Sequence, residues 1–247
     1  MFEYVFPYGK INYPLIRVHR CRIPKANIFN LEGILKYQKI YKILCKDNYI
    51  IVNPRICEIP LVFYMLGKYK KSPGCTVLDI GCCESPVSVM LSALGYKVYA
   101  VDLNDYELST LYNNITFIKE DIIKCDFRDK PFDVILAIST IEHIDVGSGY
   151  GENYHLGKDK IVIKKIYNWL KDDDIFIMSV PMEKDFRIVP NFEKHYDFRS
   201  IYALLKDFKI LEEIYLKKEG NWKIVSKDDV INSNDVFVGF YVVKRRG

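Results

Sequence analysis

Short apolar runs bounded by turn residues recur through the chain from residue 76 onward, and between them apolar positions fall at helical spacing. The clearest unit covers residues 76–102, TVLDIGCCESPVSVMLSALGYKVYAVD. Val77, Leu78 and Ile80 form a β-rich run, closed by Asp79 and Gly81. Pro86 opens a helix, since its missing N–H costs nothing in a first helical turn. Val87, Met90, Leu91 and Leu94 follow the helical period, and Gly95 supplies a left-handed stop. Residues 97–101 make a second strand with Asp102 at its carboxyl end. Two parallel strands joined by a crossover helix leave a crevice beyond their carboxyl ends, and function is placed there.

The same alternation of periods continues. Residues 104–114 read as helical turns, 115–118 as a third strand and 132–138 as a fourth, apolar on both faces as a central parallel strand is. A helix over 158–170 rests on Ile161, Ile166, Trp169 and Leu170, and 175–180 is a fifth strand ending at Pro181. Asp197 caps a helix over 198–205. Residues 208–215 and 236–243 read as two antiparallel edge strands, with Trp222 and an Asn-Ser-Asn turn in an elaborated loop between them. Two polar connections, 145–156 and 182–196, leave the carboxyl side of the sheet, and loops of that length in a compact domain are usually functional.

Ahead of this unit, Asn30 caps a helix carrying Ile34, Leu35, Ile40, Ile43 and Leu44. Asn53-Pro54 breaks the chain, and a second helix is expected over 60–70. The expected organisation is a helical N-terminal extension over 1–71 and a nucleoside-binding domain over 72–247. Either the extension covers the crevice, with Glu58, Tyr64 and the early aromatics at its entrance, or it only enlarges the core.

Composition narrows the classes. Of 247 residues 49% are apolar, enough for a sizeable core. The net charge of +4, from 36 basic and 32 acidic residues, is too mild to call for nucleic acid. No run reaches transmembrane length, and the first twenty residues lack the basic-then-apolar form of a secretory leader. The seven cysteines show no C-x-x-C pair, so Cys57, Cys75, Cys82 and Cys125 are expected as buried free thiols of a cytoplasmic protein.

The turn D-I-G-C-C-E lacks G-x-G-x-x-G, and the chain lacks G-x-x-x-x-G-K-[ST]. One glycine lets backbone pass close to a ligand without building a pyrophosphate cradle. Asp102, ending the second strand, is placed to accept from both hydroxyls of a ribose. Together these features point to a nucleoside without phosphates.

VLDIGCCES followed by VYAVDLND resembles the first two motifs of the class I S-adenosylmethionine (SAM)-dependent methyltransferases. ITFIKEDI, FDVILAISTIEHI and DDIFIMSVP match further segments of that family in order. The resemblance covers residues 72–243 and implies an α/β, Rossmann-like, doubly wound and mostly parallel sheet of seven strands with an antiparallel last strand. It implies SAM as cofactor, held by Asp79, Gly81, Cys82, Glu84, Asp102, Leu103, Asp121, Ile122, Ser139 and Glu142. Asp121 would accept the adenine amine, and Ile122 would offer its N–H to a ring nitrogen. The I-E-H-I loop with a later Gly-Tyr-Gly is similar to methyltransferases found with glycan-modifying enzymes.

Methyl transfer to oxygen or nitrogen needs alignment and loss of a proton, which invites a general base. His143 and His195 are the candidates. With Glu142 they would also suffice to begin a metal site, as in RNA 3′-end 2′-O-methyltransferases, which look similar here. Ser139 stands where that E-x-x-E-H pattern has its first glutamate, so no metal is expected. The expected acceptor is a small molecule or glycan precursor. Metal-assisted RNA methylation and a non-catalytic SAM-binding relative are the alternatives, with oligomeric state open.

Overall fold

The computed structural model describes residues 10–11, 45–46, 49–51, 54–83, 85–129, 131–146, 157–219 and 221–246. The helix expected after Asn30 lies outside them. The described N-terminal segments are short strands, β1 (Lys10–Ile11), β2 (Cys45–Lys46) and β3 (Tyr49–Ile51), in an antiparallel sheet of order β1-β3-β2. Helix α1 (Arg55–Lys68) follows Pro54 at once. It begins earlier than expected because Pro60 sits inside it, where the ring removes one helical donor without ending the helix.

The frame is a single sheet. Its parallel strands are β4 (Thr76–Ile80), β5 (Lys97–Asp102), β6 (Ile115–Lys119), β7 (Phe132–Ile138) and β8 (Leu170–Met182). After β8 come a hairpin of β9 (Arg187–Val189) and β10 (Glu193–His195), then β11 (Phe208–Glu219), β12 (Asn221–Val225) and β13 (Phe237–Arg245). The sheet order is β12-β11-β13-β8-β7-β4-β5-β6, eight strands where seven were expected. The eighth, β12, returns on β11 where an irregular loop was expected. β13 is also no edge strand: it pairs antiparallel with both β8 and β11. Its run F-V-G-F-Y-V-V is apolar throughout, which suits burial on both faces.

Helices cover both faces. α1 and α2 (Val87–Ala93) pack with Val77, Val98, Val134, Leu136 and Phe240 on one side. α3 (Lys158–Trp169) and α4 (Phe198–Leu204) pack with Leu78, Val101, Ile135, Phe176 and Tyr241 on the other. Successive strand residues therefore divide between two cores. The buried faces of α2 and α3 differ from the expected ones. α2 buries Val87, Val89 and Leu91 and exposes Met90 and Leu94; α3 buries Val162, Ile163, Ile166 and Trp169 and exposes Ile161. A helix pressed against a sheet by more than one neighbour is rotated by that packing, which its own period does not record. Asp197 caps α4 as expected, with Ser200 reciprocating in a capping box. A short fifth helix, α5 (Lys227–Ile231), carries the same device at Ser226 and Asp229. No helix among the described residues is long and apolar enough to cross a membrane.

Candidate active site

Beyond the carboxyl ends of β4, β5 and β7 lies a cavity of about 1150 Å³. One end is built by the turn after β4. Gly81 takes φ +77°, a left-handed conformation open to glycine, and its N–H donates to Val101 O at 2.9 Å. A Cβ at this position would collide with Oγ1 and Cγ2 of Thr140, so the Thr140 side chain after β7 fills the space where a Gly81 side chain would go. Asp102 ends β5 and is held by two backbone donors, Cys83 N–H at 3.0 Å and Asn104 N–H at 2.9 Å. Each carboxylate oxygen keeps capacity for a ribose hydroxyl. Asp121 closes a turn by accepting from Ile123 N–H at 2.9 Å, beside Ile122 on the cavity wall.

The other end is more polar and more crowded. After β7, Ser139 takes φ +47° and donates through Oγ to Glu58 Oε1 at 2.9 Å. Its N–H is bound by Ser179 of β8. Glu58, on α1, is fully buried. A single 3-10 turn, Ile141–His143, then presents Glu142 and His143. Burial raises the Glu142 carboxyl well above its ordinary range, and the charges of Glu58 and Glu193 raise it further. Its Oε2 is buried without a hydrogen-bond partner among the described residues. His143 Nδ1 lies 2.8 Å from Phe192 O, and the two rings meet edge to face at 5.8 Å. A carbonyl only accepts, so Nδ1 carries a hydrogen. Phe192, Glu193, Trp222 and Phe237 complete this end, with Pro54 and Arg55 at the start of α1.

Several expected site residues do line the cavity: Gly81, Asp102, Leu103, Asp121, Ile122, Ser139, Glu142 and His143. Others are placed elsewhere. Asp79 is buried and accepts from Ser88 Oγ of α2 at 2.6 Å, bracing the turn from behind. Cys82 is buried in the core, and Cys83 takes the cavity wall. Glu84 lies outside the described residues. Tyr64 is 63% exposed and away from the cavity. His195 is turned from the cavity into a clamp of Glu183, 2.6 Å from Nδ1, and Glu193, 2.7 Å from Nε2. Burial alone would lower its pKa; the bonds to Glu193 and Glu183 outweigh that and raise it. Both ring nitrogens are committed, so His195 does not meet His143. Arg55, Thr140, Phe192, Glu193 and Trp222 were not anticipated as site residues; only Phe192 and Glu193 lie in one of the two long connections, 182–196. Cys57, Cys75, Cys82, Cys83 and Cys125 are free thiols, with Cys57 and Cys75 only half-buried.

Behind the hairpin, Lys194 of β10 is buried and forms ion pairs with Asp145 at 2.5 Å and Asp159 at 2.8 Å. Asp145 also accepts from Lys158 N–H, and Asp159 from the Tyr196 hydroxyl. The end of the β7 turn, the start of α3 and the hairpin thus meet on one buried ammonium.

Residues 78–178 match the methyltransferase domain family model. The chain is 28% identical over 162 residues to the sterol 24-C-methyltransferase of Yarrowia lipolytica, covering 61% of this chain and 42% of that protein. It is 23% identical over 240 residues to the ubiquinone biosynthesis O-methyltransferase of Rickettsia typhi, covering 86% and 92%. It thus spans less than half of the sterol enzyme and most of the ubiquinone enzyme. Among solved structures, a Burkholderia thailandensis 1,6-didemethyltoxoflavin N1-methyltransferase with bound S-adenosylhomocysteine shares the fold at TM-score 0.58 and 16% identity, over 92% of this chain and 93% of that one. Magnesium protoporphyrin IX methyltransferase of Synechocystis with bound SAM does so at 0.56 and 14%, over 90% and 100%. The match over 78–178 and the solved structures agree on the fold: a Rossmann-like sheet shared with methyltransferases that bind S-adenosyl-L-methionine or S-adenosylhomocysteine, with a stretch over 78–178 similar to the methyltransferase domain family.

Proposed function

We propose that the protein transfers the methyl group of SAM to an oxygen or nitrogen of a small molecule, with residues 1–71 as an extension that helps form the acceptor side. The observation that carries this is a single cavity with the Gly81 and Asp102 turn at one end and Glu142, His143 and Glu193 at the other. In this reading Gly81, Asp102, Leu103, Asp121 and Ile122 hold the nucleoside and set the sulfonium toward Ser139. The acceptor lies against His143, Phe192 and Trp222. The donor is already activated, so alignment and exclusion of water supply most of the rate. The acceptor's heteroatom attacks the methyl carbon, the carbon–sulfur bond breaks, and S-adenosylhomocysteine leaves. The acceptor's proton goes to His143 Nε2 where nothing intervenes between them. The relatives named for ubiquinone synthesis and toxoflavin methylation favour a small-molecule acceptor. A glycan precursor is the narrower form of this reading, and only the I-E-H-I loop supports it. Free thiols fit a cytoplasmic setting.

Calorimetry with S-adenosylhomocysteine tests the reading. The unmutated protein binds with micromolar affinity, and Asp102→Ala abolishes binding. No binding by the unmutated protein overturns it. Once an acceptor is in hand, His143→Ala lowers kcat by about 10²–10⁴-fold.

A further inference from the structure

We infer that Glu142, His143 and Glu193 form a binding site for a divalent transition-metal cation of the Mn²⁺ kind. Each offers one ligand atom, and these atoms all lie within 4.8 Å of one another. Donors bound at about 2.1 Å stand at most about 4.2 Å apart across an ion, so a small side-chain movement closes the set. The residues come from two separate elements, the turn after β7 and strand β10, and all three line the cavity.

A cluster of acids alone would not indicate an ion. The second observation is Glu142, which is 1% exposed and holds Oε2 without a hydrogen-bond partner among the described residues. A buried, unpartnered carboxylate oxygen is costly unless something positive meets it. Glu58 and Glu193 add to the negative charge around it, and Arg55 is the cation that acts on it from α1. The ligands are also oriented from behind. His143 Nδ1–H donates to Phe192 O at 2.8 Å, and His195 Nε2 holds Glu193 Oε1 at 2.7 Å. Outer partners of this kind aim ligands in metal sites. They give His195 a place as a positioning residue that acts through Glu193. Two carboxylates and one imidazole suit Mn²⁺ or Fe²⁺ better than a thiolate-seeking ion.

The catalytic consequence rests on the function proposed above. An ion here would take the Nε2 lone pair of His143, bind the acceptor's hydroxyl oxygen through an open position and lower its pKa, so that the proton leaves to water. The binding site itself does not depend on that step.

The test uses the full chain, stripped with a chelator and saturated with S-adenosylhomocysteine. MnCl₂ is titrated in, and free Mn²⁺ is read by electron paramagnetic resonance. The expected result is one ion per chain, weakened at least about tenfold in Glu193→Gln and in His143→Gln. Circular dichroism and retained S-adenosylhomocysteine binding show that each variant is folded; two ligand variants guard against one that is not. Absence of Mn²⁺ binding, or binding unchanged in both variants because the ion sits at Cys82, Cys83 and Asp102, overturns the inference. Failure of S-adenosylhomocysteine to bind while Mn²⁺ still does would sink the methyltransferase reading and leave the ion site standing.

Discussion

Two residues of the first turn show how much one position can decide. Gly81 has both a left-handed φ and Thr140 where a side chain would go. A left-handed conformation alone costs an ordinary residue about 1–2 kcal/mol. Gly81→Ala is expected to lose at least that much in urea denaturation and to lose S-adenosylhomocysteine binding, since the turn is the wall of the site. Asp79 makes a different prediction. Burial first, and the charge of Asp102 after it, raise its carboxyl to about 6 in spite of the Ser88 hydrogen bond. An acid raised in the folded state favours folding while protonated, and that advantage is lost as pH rises from about 4, the unfolded value, through about 6. The urea midpoint should fall over that interval in the unmutated protein, and Asp79→Asn should flatten the fall. An unchanged profile in the variant would reject the assignment. Asp79 and Cys82 were read as cofactor contacts because they sit in the motif. Asp79 is instead buried on Ser88 of α2 and Cys82 lies in the core, while Gly81 and Cys83 line the cavity.

Elements differed in how openly their sequences declared them. The parallel strands were legible as continuous apolar runs, and β7 matched its expected bounds of 132–138. The β9–β10 hairpin was not legible, because it is buried through charge. Glu193, Lys194 and His195 carry no apolar pattern, yet Lys194 and His195 are 1% and 5% exposed. What buries Lys194 is pairing with Asp145 and Asp159, far away in sequence, and His195 is held by Glu183 and Glu193 of its own connection. Removing one partner of such a group leaves uncompensated charge in the interior. Lys194→Met is expected to cost about 3–5 kcal/mol, read from chemical denaturation, even though methionine fills a similar space. A loss below about 1 kcal/mol would mean that water already reaches the two aspartates.

At the scale of the whole molecule, the donor half of the site lies within residues 80–124, so one stretch of sequence contains it. The other end of the cavity, where the acceptor is proposed to lie, gathers Arg55, His143, Phe192, Trp222 and Phe237 from five separate segments, and nothing in the local sequence announces their meeting. That is why the cofactor was readable and the acceptor was not. The shared sheet is also the stability of both halves. Leu136, at the centre of β7, is fully buried between β4 and β8, and Leu136→Ala is expected to cost about 2–5 kcal/mol. In a protein of this size each kcal/mol lowers Tm by about 2–4 °C, which a calorimetric scan resolves.

The buried ammonium of Lys194 has a consequence for how such an enzyme changes over time. Asp145 and Asp159 stand on either side of residues 147–156, and one lysine fixes both. With the two roots pinned, the span between them is free to be rewritten. Each doubling of its length costs only about 0.6 kcal/mol in closure entropy. Insertions there leave the nucleoside turn, the strand ends and the hairpin where they are. A lineage can thus change the length and sequence of that connection without rebuilding the strand ends that frame the cavity.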